Sequence, residues 1–236
     1  MIAHSILQAR LIRGVIFDMD GVLVDSEPIH EQALSETLAA YGHRLTPEIY
    51  AGTLGQSPDD NWRWLLDHDP LTCEGQEFLG RYAGAVLELL QRALDPRPGA
   101  VDLIARFRSE GCRIALASMS TRAWVDATLR GIGLAEAFDA TVSADEVARG
   151  KPDPEVFLTA AAMIGVDPAA CLVIEDAPAG VEAALRAGMR PVAVRTRYTH
   201  GYELPAFWTV DSLTELLVED AFQRLLAPPE AVSAST

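Results

Sequence analysis

The chain has 236 residues, 49% hydrophobic and 22% charged, a globular composition with room for one core domain and an insertion. Its formal net charge of −15, with no block of lysine and arginine, repels a nucleic-acid backbone and excludes that class of partner. No apolar run approaches the roughly 18 residues that a bilayer crossing needs, so no membrane partner is expected either.

At the N-terminus, "MIAHSILQARLIR" has too short an apolar stretch, and no basic leader before it, for a signal peptide, which points to a cytoplasmic protein. The first strand pattern is "GVIFDMD" (14–20), an apolar run that ends in two aspartates. From about residue 27 to residue 95 no strand signal occurs. Helical patterns fill the interval instead: "IHEQALSETLAAYG" (29–42), a stretch around "DDNWRWLLDHD" (59–69), and "GQEFLGRYAGAVLELLQRAL" (75–94). Flanked by Gly21 and by "DPRPG" (95–99), this segment reads as a separate helical subdomain, residues 27–96, suited to be a lid.

After it, strands and helices alternate. "AVDLIARFRSEG" (100–111) is a helix, "RIALASM" (113–119) a strand, "TRAWVDATLRGIG" (121–133) a helix, and "ATVSAD" (140–145) a strand. "CLVIED" (171–176), "AGVEAALRAGM" (179–189), "PVAVR" (191–195) and "WTV" (208–210) continue the series as strand, helix, strand and strand. Such alternation predicts an α/β fold: a Rossmann-like parallel-sheet core, residues 1–26 and 97–227, joined by right-handed crossovers and carrying the inserted α-helical cap. Residues 228–236, "PPEAVSAST", read as a frayed tail. Cys73, Cys112 and Cys171 form no CxxC pair, and their odd number fits a reducing compartment. Cys112 and Cys171 each open an apolar run and read as core residues.

The excess of negative charge makes a demand on any site for an anionic substrate. Positive charge must be concentrated locally, by a metal ion, a lysine or helix N-termini. Asp18 and Asp20, spaced i and i+2 at a strand end, point to one side of the crevice beyond the sheet. Two like charges so close call for a divalent cation or for one protonated carboxyl; the plainer alternative is that they begin a turn. Three further strand ends add to this. Ser118, with the amides of Met119 and Ser120 at the mouth of a helix, suits a phosphate oxygen. Glu175 and Asp176 are a second pair of hard oxygen ligands, and Lys151 in "RGKPDP" (149–154) precedes a proline-braced helix start.

"DMDGVLVDSEP" (18–28), Ser118, Lys151 and "IEDAPAGVEAALRAGM" (174–189), in that order, resemble the four motifs of the haloacid dehalogenase-like hydrolases, in the branch of β-phosphoglucomutase and small-molecule phosphatases. The resemblance covers roughly residues 12–218. It implies that Asp18 attacks phosphorus and becomes an aspartyl phosphate, and that Asp20 protonates the leaving oxygen and then activates water. It implies a Mg²⁺ ion held by the Asp18 carboxylate, the Asp20 backbone carbonyl and Asp176, with Glu175 in or beside the shell. Ser118 and Lys151 would hold the phosphoryl oxygens. Asp20 argues against dehalogenation, where no leaving oxygen needs a proton, and the absence of lysine from residues 27–95 disfavours phosphonate cleavage through a Schiff base.

Hydrolysis of a small phosphorylated metabolite, with a sugar phosphate as one candidate, is therefore the leading reading. A phosphosugar mutase is the alternative, and a non-catalytic phosphometabolite-binding protein a further one. "TLGQSPDD" (53–60) lacks the lysine and arginine with which the mutase grips its substrate. His30 either contacts substrate or closes the cap, or is a solvated helix residue. Gln56, Asn61 and Arg63 are the other candidates for substrate contact in the cap. Trp62 and Trp64 more naturally pack cap helices together than stack on a sugar. Ser120 and Arg122 could reach the substrate rim, and Asp25 and Glu27 read as hinge and loop residues. The chain is taken as a monomer.

Overall fold

A computed structural model describes residues 12–53, 58–92, 94–199 and 201–227. The chain divides into two compact units, Met1–Asp25 with Asp95–Thr236, and Ser26–Leu94.

The first unit is built on a six-stranded parallel sheet: β1 (Gly14–Phe17), β2 (Arg113–Ala117), β3 (Ala140–Val142), β4 (Cys171–Glu175), β5 (Arg190–Val194) and β6 (Trp208–Val210), in the order β3-β2-β1-β4-β5-β6. β1 and β4 are buried along their whole lengths, as apolar strands covered on both faces must be. The three-residue strands β3 and β6 form the edges, too short to offer a long ladder for another chain. In register, Phe17 on β1 lies beside Leu116 on β2 and Ile174 on β4, so three strands end together.

Alternation along β1 divides the core. Phe17 meets Phe107 and Phe138 edge-on, each at 6.4 Å between ring centroids, and Phe107 in turn packs on Phe222 at 4.9 Å. Phe107 lies on the helix Ala100–Ser109, and Phe222 on the helix Glu219–Leu226. Ile16 joins the opposite layer with Ala115, Ala117 and Val173. Small residues there, Ala160 and Ala161 on Glu155–Met163 and Ala183 and Ala184 on Pro178–Arg186, let both helices lie close on the sheet. The helix Arg122–Gly131 begins at Thr121, whose side chain accepts from the Trp124 N–H.

The predicted elements are present with altered ends. "ATVSAD" is a strand only as far as Val142, after which Ala144–Glu146 is a 3₁₀ turn closed by a capping box between Ser143 and Glu146. The start expected after Lys151 opens the whole helix Glu155–Met163, and Glu219–Leu226 is a helix that the sequence reading did not assign.

The second unit holds four helices among the described residues, Glu27–Ala40, Pro47–Thr53, Pro58–His68 and Gly75–Leu90. Pro47–Thr53 was not anticipated. Trp62 lies 5.2 Å from Phe78 between centroids and against Gly75, and Trp64 stacks on His68 at 4.0 Å with Gly52 beneath it. The tryptophans thus pack this unit's own helices together.

Candidate active site

β1 delivers Asp18 directly. Its N–H still donates to the Ile174 carbonyl at 2.9 Å, so the backbone of Asp18 is fixed by the ladder although the strand ends at Phe17. The chain then turns sharply: the Gly21 N–H donates to the Val24 carbonyl at 2.8 Å, and Gly21 has φ +79°, which favours glycine. The absent side chain matters twice here. A Cβ at Gly21 would lie 2.1 Å from Asp176 Oδ2, so the missing methyl is what lets the carboxylate lie over the turn.

Lys151 is the centre of the cluster. Its Nζ donates to Asp18 Oδ1 at 2.5 Å, to Glu175 Oε1 at 2.7 Å and to the Ala117 carbonyl at 3.4 Å, which employs all three ammonium protons. It also lies 4.9 Å from the centre of the Phe157 ring. Burial by itself would lower its pKa, but the Asp18 and Glu175 carboxylates outweigh that and raise it. Lys151 is therefore a permanent cation. It is also the only lysine in the 236 residues.

Glu175, at 1% exposure, is committed by both oxygens: Oε1 to Lys151, and Oε2 to the Ala177 N–H at 2.6 Å. A Cβ at Gly180 would sit 1.6 Å from Oε1, so glycine at that helix position is what admits the carboxylate. In this arrangement Glu175 faces the lysine, with one hydrogen bond accepted at each oxygen.

Asp20 Oδ2 accepts from Ser120 Oγ at 2.9 Å and from Ser118 Oγ at 3.4 Å, and Ser118 Oγ accepts from the Ser120 N–H at 3.0 Å. Ser118 is fully buried. Met119 is exposed, with its side chain against Gly150. Arg122 donates to Thr141 Oγ1 at 2.8 Å and pairs with Glu146.

Four carboxylates, those of Asp18, Asp20, Glu175 and Asp176, thus crowd one site, where the buried Lys151 pairs with Asp18 and Glu175. Burial drives the Asp18 carboxyl well up, Lys151 opposes, and Glu175, Asp20 and Asp176 add to the rise. Burial likewise pushes Asp176 up to about 8, helped by Glu175 and offset in part by Lys151. Arg97 contributes from the loop after the helical unit. Its guanidinium donates to the Gly21 carbonyl at 2.7 Å and its N–H to the Leu23 carbonyl at 2.7 Å. Sequence reading passed over Arg97, whose only signal was a cation between two prolines in "DPRPG".

The residues fit a Mg²⁺ ion. Among the described residues no three Asp, Glu, His or Cys side chains form a ready-made cage. Mg²⁺ asks for less, since it usually takes one or two carboxylates and fills its octahedron with substrate oxygens and waters. Asp18 and Asp176, with the Asp20 carbonyl, are hard donors, and their raised carboxyl pKa values mark an unmet need for positive charge.

The other candidates lie in the helical unit. His30 Nδ1 is 2.9 Å from the Tyr82 hydroxyl, and Arg63 pairs with Asp60 at 2.6 Å. Asn61 is 5% exposed, and its Oδ1 is buried with no hydrogen-bond partner. Gln56 lies outside the described residues.

Known proteins resemble this chain over most of its length. Residues 12–188 match the family model for haloacid dehalogenase-like hydrolases. The chain is 37% identical over 186 residues to the fructose-1-phosphate phosphatase YqaB of Escherichia coli, covering 77% of this chain and 96% of that protein. It is 32% identical over 220 residues to hexitol phosphatase B of the same species, covering 89% and 97%. Among solved structures, a β-phosphoglucomutase from Clostridium difficile superposes with a TM-score of 0.77 at 26% identity, covering 94% of this chain and all of that one. This chain belongs to the haloacid dehalogenase-like hydrolase family and is an enzyme whose named relatives include phosphatases.

Proposed function

We propose that this protein is a Mg²⁺-dependent phosphatase that hydrolyses a small phosphomonoester, a sugar phosphate, through an aspartyl phosphate on Asp18. The observation that carries the reading is Lys151, held between Asp18 and Glu175 and against the carbonyl of Ala117, where β1, β4 and β2 end side by side. The similarity to phosphatases named for fructose 1-phosphate and for hexitols supports the sugar-phosphate class.

Asp18 attacks phosphorus as the ester P–O bond breaks, and Asp20 gives its proton to the departing oxygen. Water then attacks the aspartyl phosphate while Asp20 takes the water proton, which releases phosphate and restores both aspartates. Ser118 donates its hydroxyl to a phosphoryl oxygen, and Lys151 turns to another the proton of its long 3.4 Å bond to the Ala117 carbonyl, where the spreading charge collects. Glu175 positions Lys151. The Asp18 and Asp176 carboxylates and the Asp20 carbonyl would hold Mg²⁺, which would supply further positive charge at those oxygens and keep Asp18 ionised. Substrate choice falls to the helical unit. Asn61, with its unpartnered buried Oδ1, is the foremost candidate; His30 and Arg63 already hold partners there, and Gln56 completes the set.

The test is phosphate release from a panel of phosphorylated sugars, with Mg²⁺ and with chelator. Metal-dependent release, abolished in Asp18→Asn, is expected. Turnover unchanged by Asp18→Asn would overturn the reading, and isomerisation without phosphate release would replace it with the mutase.

A further inference from the structure

Resting on that reading, we propose that Ser120 is a positioning residue for Asp20: its hydroxyl fixes the orientation of the carboxyl that serves the leaving group, and so sets the efficiency of leaving-group protonation. Two hydroxyls point at Asp20 Oδ2, that of Ser120 at 2.9 Å and that of Ser118 at 3.4 Å. Both hold the same carboxyl oxygen, which fixes the rotation of the Asp20 side chain.

The two serines are not equivalent. Ser118 has one hydroxyl proton, and its assigned partner during the reaction is a phosphoryl oxygen. Once that proton turns to substrate, Ser120 is the serine left to hold Asp20. The shorter of the two distances already belongs to it.

Ser120 is itself well anchored. Its carbonyl accepts from the Ala144 N–H at 3.0 Å, its own N–H donates to Ser118 Oγ at 3.0 Å, and the next residue, Thr121, caps the helix Arg122–Gly131. A hydroxyl fixed from both sides gives Asp20 a stable reference, which general acid catalysis requires, because misaligned proton donors lose most of their effect. The spacing Ser118-Met119-Ser120 therefore divides two tasks, one hydroxyl for phosphate and one for the acid.

Leaving-group dependence separates this role from a structural one. p-Nitrophenyl phosphate releases an acidic phenol that needs little protonation, whereas phenyl phosphate releases a weaker acid that needs more. We compare kcat/KM for both esters, which reports the first chemical step, in wild type, Ser120→Thr and Ser120→Val. Thr and Val have nearly the same shape and differ in the hydroxyl, so their contrast does not depend on tolerating a smaller side chain. Circular dichroism melting accompanies each variant.

In Ser120→Val, kcat/KM for phenyl phosphate is expected to fall roughly tenfold further than for p-nitrophenyl phosphate, with Ser120→Thr restoring the wild-type ratio. An equal loss on both esters, no loss on either, or failure of Thr to restore the ratio would overturn the assignment. Asp18→Asn run alongside distinguishes the two levels: unchanged turnover there removes the phosphatase reading itself, whatever Ser120 does.

Discussion

Replacing Gly180 by alanine tests how the site is assembled with a single methyl group. Gly180 is the third residue of the helix Pro178–Arg186, where alanine by intrinsic preference would stabilise by about 1 kcal/mol. The tertiary surroundings reverse that sign. The new Cβ would lie 1.6 Å from Glu175 Oε1 and 2.0 Å from its Cδ, so the carboxylate must withdraw to the ordinary contact distance of about 3.4 Å. Such a shift breaks the 2.7 Å bond to Lys151 and the 2.6 Å bond from the Ala177 N–H. Hydrogen bonds to charged groups are worth about 1.5–3 kcal/mol each, so two lost bonds, less the helix-propensity gain, leave a net loss of about 2–5 kcal/mol. For a chain of this size that is a fall in Tm of roughly 4–20 °C. If a similar amount is lost from the transition state as Lys151 shifts, kcat/KM falls roughly 30- to 5,000-fold. Thermal melting and p-nitrophenyl phosphate kinetics on the same preparation measure both. A variant as stable as wild type or more so, with kcat/KM within twofold, would refute the packing of Glu175 on Gly180 and its hold on Lys151.

Lys151→Met leaves Asp18 and Glu175 buried without their cation; a stability loss of about 3–5 kcal/mol at neutral pH is expected, shrinking in acid as the Asp18 carboxyl, whose pKa burial already raises, is neutralised, and denaturant titration at two pH values checks it. Asp176 without metal titrates near 8, far above its ordinary range, so Mg²⁺ must displace a proton: its apparent affinity should rise with pH up to about 8 and then level, as calorimetry can read. The same raised carboxyl means that the folded metal-free protein binds a proton that the unfolded chain has released. Stability of the metal-free form should therefore decline as pH rises from about 4 to 8, and Mg²⁺ should offset the decline in melting experiments. Arg97→Ala removes the guanidinium from the Gly21 carbonyl but leaves the backbone bond to Leu23, so a roughly tenfold loss of kcat with Tm lowered by only a few degrees is expected. A loss of kcat below twofold would mean that the turn holds its shape without it.

The parts of the site that could be read from sequence are those that a strand end fixes. Asp18 follows β1 directly, Ser118 follows β2 and Glu175 ends β4, and in a parallel sheet those ends share one edge whatever the side chains do. Orientation was less legible. Glu175 and Asp176 are adjacent in sequence, yet Gly180 and the Ala177 N–H draw one toward Lys151 while Gly21 gives the other room over the turn. Nothing local says that the Ser120 hydroxyl, read as able to reach a substrate rim, meets Asp20, 100 residues earlier. For His30, open between substrate contact, cap closure and a solvated helix position, no local signal announces Tyr82, 52 residues away on another helix. One signal went unused. A chain with 19 basic residues and a single lysine has placed that lysine at the site, where a compact ammonium with three donors serves better than a planar guanidinium.

The central claim is that Asp18 carries the phosphoryl group. Asp20→Asn, given p-nitrophenyl phosphate and Mg²⁺ and quenched in acid, should trap it, since the easy first step proceeds while water lacks its base. Intact mass and peptide mapping should then find one phosphoryl group per chain, on Asp18, and none in the Asp18→Asn, Asp20→Asn double variant. Phosphate retained in the double variant, or product formed with no labelled chain at any quench time, would contradict the account.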